Sequence, residues 1–162
     1  MRKKRPADAA AGSEPEDWTA AAAEATAVRL LARREHSRVE LARKLRARGI
    51  PPELVDEVLA GLAARRLQSD ERYAESLVNS RVSRGQGPVR IRRDLSQQGL
   101  PESEIDAALE AAGVDWYELA RDTRRRRFGS EVPAEWKERA RQARFLEYRG
   151  FTGDQIRAAI GD

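Results

Sequence analysis

The sequence predicts an all-α protein: three tandem three-helix repeats of about 50 residues that stack on one another. Three observations carry that expectation. Strand signals are nearly absent, with no sustained alternation and no Asn-Gly or Asp-Gly hairpin turn. Ala and Arg, both strong helix formers, supply 27 residues each of 162. One motif also recurs three times. Leu41-Ala-Arg-Lys-Leu45-Arg-Ala-Arg-Gly49-Ile50-Pro51 is echoed by Ile91-Arg-Arg-Asp-Leu95-Ser-Gln-Gln-Gly99-Leu100-Pro101. Phe145-Leu146-Glu147-Tyr148-Arg149-Gly150-Phe151-Thr152 is the third, more diverged copy.

Each copy places an apolar residue four before a glycine and another directly after it. Gly49, Gly99 and Gly150 are read as residues that end a helix in the left-handed conformation, with the next apolar residue closing the turn. The alignment runs on into the following helix, where Val55, Ile105 and Ile156 correspond, as do Leu59, Leu109 and Ile160. A further helix precedes each motif, from about Thr19 to Arg34, Ser69 to Arg84 and Asp115 to Arg127.

Along the chain, residues 1–17 read as a disordered tail, four bases and four acids without apolar periodicity. Residues 18–67, 68–113 and 114–162 form repeats 1, 2 and 3. Ser37-Arg38-Val39-Glu40 and Thr152-Gly153-Asp154-Gln155 have the capping-box form. Pro51, Pro88, Pro101 and Pro133 suit first-turn positions, where the missing N–H costs nothing. Trp18, Trp116 and Trp136, each before or at a helix start, are assigned to packing between repeats rather than to base stacking.

Several function classes fall away. There is no cysteine, hence no disulfide or thiolate metal site. No apolar run approaches the ~20 residues that span a bilayer. Arg2-Lys3-Lys4-Arg5 is not followed by the apolar stretch of a secretory signal, so the expected location is cytoplasmic. None of the four lysines follows a glycine as in a phosphate-binding loop, and no G-x-S-x-G or H-E-x-x-H motif occurs. The single histidine, His36, is read as a cap or surface residue. No catalytic residue, metal site or cofactor is expected, and the chain is not read as an enzyme.

Charge is uneven although the net value is only +4. Residues 28–50 carry eight bases and two acids, 81–93 five arginines and no acid, and 119–149 ten bases and five acids. By contrast, 51–62 and 100–112 hold three and four acids with no base. The first two helices of each repeat are therefore read as basic and the third as acidic. That disfavours a helix-turn-helix reader, whose last helix would enter a groove lined by one phosphate charge per ~1.7 Å. Three basic clusters are candidate polyanion contacts. They are Arg81, Arg84, Arg90, Arg92 and Arg93 around a flexible Gly85-Gln86-Gly87-Pro88 turn; Arg33, Arg34, Arg38, Arg43 and Lys44; and the run Arg124, Arg125, Arg126 and Arg127. Four consecutive arginines point all round a helix, so they cannot share one surface.

The stretch Leu31-Ala-Arg-Arg-Glu-His-Ser-Arg-Val-Glu-Leu41-Ala-Arg-Lys-Leu45 resembles the first repeat of the RecX family, regulators of the RecA recombinase. Gln68-Ser-Asp70-Glu-Arg-Tyr73-Ala74, with Gly85-Gln-Gly87-Pro88-Val-Arg90-Ile91 and Leu95 to Gly99, resembles its second. The resemblance covers roughly residues 25–162 and is weakest in repeat 3, where it holds by position more than by motif. It implies that the three tandem three-helix repeats form an elongated, curved array, which lies in the groove of the RecA–DNA filament and limits RecA's ATPase, strand-exchange and coprotease activities, in DNA repair, recombination and the SOS response. The implied partners are the RecA filament and single- and double-stranded DNA bound without sequence preference, with no membrane partner and a monomeric chain. The basic clusters alone equally suit a non-specific DNA-binding helical module without RecA contact, and a plain interaction scaffold is a third reading.

Overall fold

The computed structural model describes residues 17–161, in which all regular structure is helical. The expected tail lies, but for Asp17, outside the described residues. Repeat 1 holds α1 (Ala20–Leu31), α2 (Arg38–Arg46) and α3 (Pro52–Ala64). Repeat 2 holds α4 (Asp70–Ser83), α5 (Pro88–Gln97) and α6 (Glu102–Ala111). Repeat 3 holds α7 (Trp116–Phe128), α8 (Trp136–Arg149) and α9 (Gly153–Ile160). No described helix is long and apolar enough to cross a membrane.

The repeat motif is a structural unit. At the end of α2, the Ile50 N–H donates to the Leu45 carbonyl and the Gly49 N–H to that of Arg46. Leu100 and Gly99 do the same with Leu95 and Ser96, and Phe151 and Gly150 with Leu146 and Glu147. These are Schellman closures, with φ of +82° at Gly49, +78° at Gly99 and +93° at Gly150. Each closure turns its apolar residue inward, so Ile50, Leu100 and Phe151 are buried beside Leu45, Leu95 and Leu146. Thr19, Ser69 and Asp115 open the first helices, each side chain accepting a backbone N–H two residues into the helix.

Three separate hydrophobic clusters follow, one per repeat. The corresponding residues Val55 and Leu59, Ile105 and Leu109, and Ile156 and Ile160 all pack into them. The third core is thinnest and is supplemented by an edge-to-face pair, Phe128 and Phe145, with centroids 5.2 Å apart. Extensive helix packing stays within each repeat. The exception in side chains is Trp116, which opens α7 yet packs on the second core.

The joint between repeats 1 and 2 is polar. The Arg38 N–H donates to Asp70 Oδ1 (2.8 Å), the Ser37 hydroxyl to Gln98 Oε1 (2.7 Å), and Gln68 Nε2 to the His36 carbonyl (3.3 Å). His36 is only 2% exposed, which corrects the surface reading. Its Nδ1 lies 3.0 Å from the Arg34 carbonyl and its Nε2 3.1 Å from Lys44 Nζ. An ammonium has only donors, so Nε2 accepts and Nδ1 carries the proton. Burial, the largest influence, lowers the His36 pKa from 6.5. Glu40 is also buried, which alone would raise its pKa. Hydrogen bonds from Arg34 and Lys44 outweigh that and hold it at about 2.

The joint between repeats 2 and 3 is made by backbone. The Gly87 N–H donates to the Arg149 carbonyl (2.8 Å) and the Val89 N–H to that of Gly150 (2.9 Å). A Cβ on Gly87 would stand 2.4 Å from the Gly150 oxygen, and one on Gly150 2.4 Å from the Arg90 Cβ. The Gly85–Pro88 turn is thus a packed contact rather than a flexible one, with its first three residues buried.

Other expectations need correction. Ser37 caps the Glu40 N–H, but the Glu40 carboxylate turns to Arg34 and Lys44, so the reciprocal box is absent there. The Thr152–Gln155 box is complete. Pro133 is no first-turn residue: it lies buried before α8, its carbonyl accepting from Arg139 Nη1. Trp18 packs within repeat 1, and Trp136 is 79% exposed, so of the three tryptophans only Trp116 packs between repeats. The charge segregation by helix is incomplete. Helix α4 carries Asp70, Glu71 and Glu75 against Arg72 and Arg81, and α9 one charge of each sign.

Two outcomes are expected. Gly49→Ala meets no atom closer than 4.0 Å and bears only the left-handed strain, about 1–2 kcal/mol. Gly150→Ala adds a backbone collision, so thermal unfolding should show a loss larger by about 1–3 kcal/mol. Stability should also fall with acid in two windows. A His36 pKa lowered in the fold means the unfolded chain takes up that proton first, so stability drops as pH falls below about 6.5. Glu40, depressed from 4.5 to about 2, stabilises above the upper value and loses that contribution as pH falls to the lower. Melting temperatures of His36→Gln should flatten in the first window and those of Glu40→Gln in the second.

Candidate functional site

The glycine joint brings three helix segments together. Arg84 caps the C-terminus of α4, Arg126 and Arg127 lie in the last turn of α7, and Arg149 ends α8. With Ser83, Gly85, Thr123 and Phe145, they line a groove of about 260 Å³. A Cβ on Gly85 would lie 2.8 Å from Thr123 Oγ1, so α7 sits directly against the turn. Arg149 Nη1 donates to the Arg84 carbonyl (2.9 Å), and its guanidinium stacks 5.2 Å from the Phe145 ring centroid. The Arg127 guanidinium lies 5.7 Å from the Phe128 centroid. Among the described residues, no carboxylate pairs with Arg84, Arg126, Arg127 or Arg149.

Four unneutralised guanidiniums around one groove repel each other unless an anion enters. Their planar forks match phosphate oxygens, two N–H donors to two acceptors. The groove holds no nucleophile–base pair, and the described residues contain no His/Cys/Asp/Glu group able to hold a metal ion. Its lining suits an anion.

The structure sorts the other sequence candidates by their partners. Arg81 Nε is bonded to Asp94 (3.1 Å). Arg92 is held by Asp106 (2.6 Å) and Glu102, and the Asp106 hydrogen bond raises its pKa. Arg34 and Lys44 share Glu40. Arg125 bonds Asp122 (2.5 Å) and Glu118, which raise its pKa in that order. Arg124 is 3% exposed and donates to the Ser130 and Glu131 carbonyls and Gln142 Oε1, so it ties the α7–α8 connection. Arg90 is half-buried in the joint, its guanidinium 5.9 Å from the Tyr148 ring centroid. Arg33, Arg38, Arg43 and Arg93 are exposed with no carboxylate partner among the described residues, but they do not line the groove.

Carboxylate partners divide each sequence cluster into paired and unpaired members. The groove draws one member from the first and two from the third, and adds Arg149, which the sequence reading left out. The available signal was its place directly before Gly150, the residue on which the turn of repeat 2 docks.

Family models match the chain in three consecutive pieces: RecX first three-helix domain over residues 23–62, second over 69–109 and third over 114–160. The "Regulatory protein RecX" of Pseudomonas fluorescens strain Pf-5 is 51% identical over 138 residues, 85% of this chain and 89% of that protein. That of Halorhodospira halophila is 56% identical over 133 residues, 82% and 83% of the two chains. The crystal structure of RecX from Lactobacillus salivarius matches the fold with a TM-score of 0.71 at 23% identity, covering 87% of this chain and 94% of that one. A second crystal structure, of regulatory protein RecX, gives 0.68 at 27% identity over 87% and 72%. With three domain models in order and relatives near half identity over most of its length, this chain belongs to the RecX family of regulatory proteins.

Proposed function

We propose that this chain is a non-enzymatic, cytoplasmic, monomeric regulator that binds the RecA–DNA filament along its groove and restrains RecA's ATPase, strand-exchange and coprotease activities. Its setting is DNA repair, recombination and the SOS response. Membership of the RecX family supports the regulatory part, and the arginine groove between repeats 2 and 3 is the observation that carries the nucleic-acid part. Guanidiniums without carboxylate partners keep their net charge for phosphodiesters, whatever the base sequence. Arg33, Arg38, Arg43 and Arg93 add exposed positive charge on the repeats before it. A tandem array with separate cores suits a filament, because several modest contacts in series gain affinity by linkage. Of the five arginines around the turn, Arg84 and Arg93 are the best placed for the filament. Arg81 and Arg92 are occupied by acids and Arg90 by Tyr148.

The test is DNA-dependent ATP hydrolysis by RecA, titrated with this protein at physiological salt. Inhibition at far less than one molecule per RecA protomer is the expected result. Inhibition only as the DNA saturates would mark a DNA-binding module without RecA contact. Charge reversal by Arg126→Glu and Arg127→Glu should shift the titration to higher protein and weaken binding to bare DNA. Neutral Gln versions should lower the slope of log affinity against log salt by about one per contact removed. An unchanged slope would remove the groove from the interface.

A further inference from the structure

A second groove lies on repeat 2, between α4 and α6, and its character is the reverse of the arginine groove. It holds about 660 Å³. Its floor is apolar: Ala74, Val78 and Leu100 are buried, and Ala108 and Ala112 half-buried. Glu71, Glu75 and Glu104 stand exposed on its rim, and no Arg, Lys or His lines it.

The three rim glutamates have no basic partner among the described residues. The two arginines of α4 are engaged elsewhere, Arg72 Nε with Glu35 (2.8 Å) and Arg81 Nε with Asp94 (3.1 Å), and α6 carries no base. Asp70, which also lines the groove, accepts from the Arg38 N–H and from Gln68 Nε2 at the joint with repeat 1. Three like charges around one apolar cleft repel each other, and a cation brought from outside relieves that repulsion.

Side-chain size opens the cleft. The pairs Val55–Ile105 and Leu59–Leu109 set the register between repeats, and in that register Ala108 and Ala112 stand where repeat 1 has Val58 and Leu62. Val58 and Leu62 are buried members of the first core. Alanine lacks the branched carbons that they contribute, so repeat 2 leaves its floor uncovered. A face of alanines also lets another helix come to the near end of the usual 8–10 Å interaxial range.

We infer that this groove docks a basic amphipathic helix on the protein component of the filament, with apolar anchors on the floor and Arg or Lys on the rim carboxylates. The inference rests on the RecA reading above and adds a surface for the protein to the one for the nucleic acid. Phosphodiesters are turned away by the same three acids. Along α4 the lining runs from Asp70 to Asn79, about 13.5 Å at the helical rise, room for anchors at i, i+4 and i+7, which span about 10.5 Å. The chain's own basic stretch, Arg2-Lys3-Lys4-Arg5, fits less well, because no large apolar residue stands between Arg5 and Trp18 to serve as an anchor.

The test uses the full chain in the RecA ATPase titration, with binding to a fluorescein-labelled oligothymidine strand measured beside it. Glu71→Gln, Glu75→Gln and Glu104→Gln together should raise the protein needed for half-inhibition about tenfold. Ala111→Phe adds a ring at an exposed lining position and no charge, and should do the same by filling the groove. Neither variant should lose affinity for oligothymidine, since the arginine groove is untouched. Neither should melt earlier than the parent, since all four positions are exposed. Unchanged inhibition by either variant, with a parent that inhibits far below one molecule per RecA, overturns the assignment and leaves the RecA reading standing. A parent that inhibits only as the DNA saturates overturns the RecA reading and the assignment with it. Stronger inhibition by the variants would place a segment of this chain in the groove, and a parent dimer that the variants dissociate in sedimentation would place a second copy there. Either result overturns the assignment, as does a matching loss of oligothymidine binding.

Discussion

Where repeats 2 and 3 meet, main chain lies directly on main chain. Gly87 and Gly150 lie back to back, and the strip of bare backbone lets two N–H groups of one repeat reach two carbonyls of the next. Each bond contributes about 1 kcal/mol net, a modest sum, but the directional geometry leaves one register. A joint of interdigitating side chains could slide or repack. This one cannot, because any Cβ at either glycine collides with main chain or the Arg90 stem. The positions of Arg84, Arg126, Arg127 and Arg149 all derive from that register. The same glycine ends α8 and meets the turn before α5, so helix termination and repeat docking are one constraint.

The pattern of neutralisation then separates structural from available charge. Arg81, Arg92, Arg125 and Arg34 have acids on their own or a neighbouring helix and serve the fold. Arg124 serves it from inside, holding two loop carbonyls. The groove arginines have rings and one carbonyl as neighbours, contacts that orient a guanidinium without cancelling its charge. Unpaired guanidiniums meet around one groove at α7, α8 and the turn between α4 and α5, while Arg33, Arg38, Arg43 and Arg93 stand unpaired outside it.

Much of the fold was legible because its signals are local. The helix–glycine–apolar motif lies within seven residues, its hydrogen bonds span at most five, and the following helix repeats the register of Val55, Ile105 and Ile156. The candidate site was less legible because its criteria are tertiary. Glu102 and Asp106 claim Arg92 from ten and fourteen residues away, across a turn, and charge counting along the chain cannot see that. His36 looked exposed between polar neighbours, yet the second repeat covers it through Gln68 and Gln98 bonds to its own carbonyl and to Ser37. Trp136 looked like packing because tryptophan usually is. It is exposed because the long connection from Gly129 to Glu135 delivers it to the solvent side of α8, where Pro133 instead is buried.

Keeping each core within one repeat has a consequence for biosynthesis. No helix needs a distant partner to bury its apolar face, so the chain can fold repeat by repeat as it leaves the ribosome. The cores of the first two repeats draw on nothing beyond Trp116 at the start of α7. The groove is different, because Arg149 follows Arg84, the residue whose carbonyl it bonds, by 65 residues. A nascent chain therefore folds its first two cores before the four arginines of the groove can be brought together.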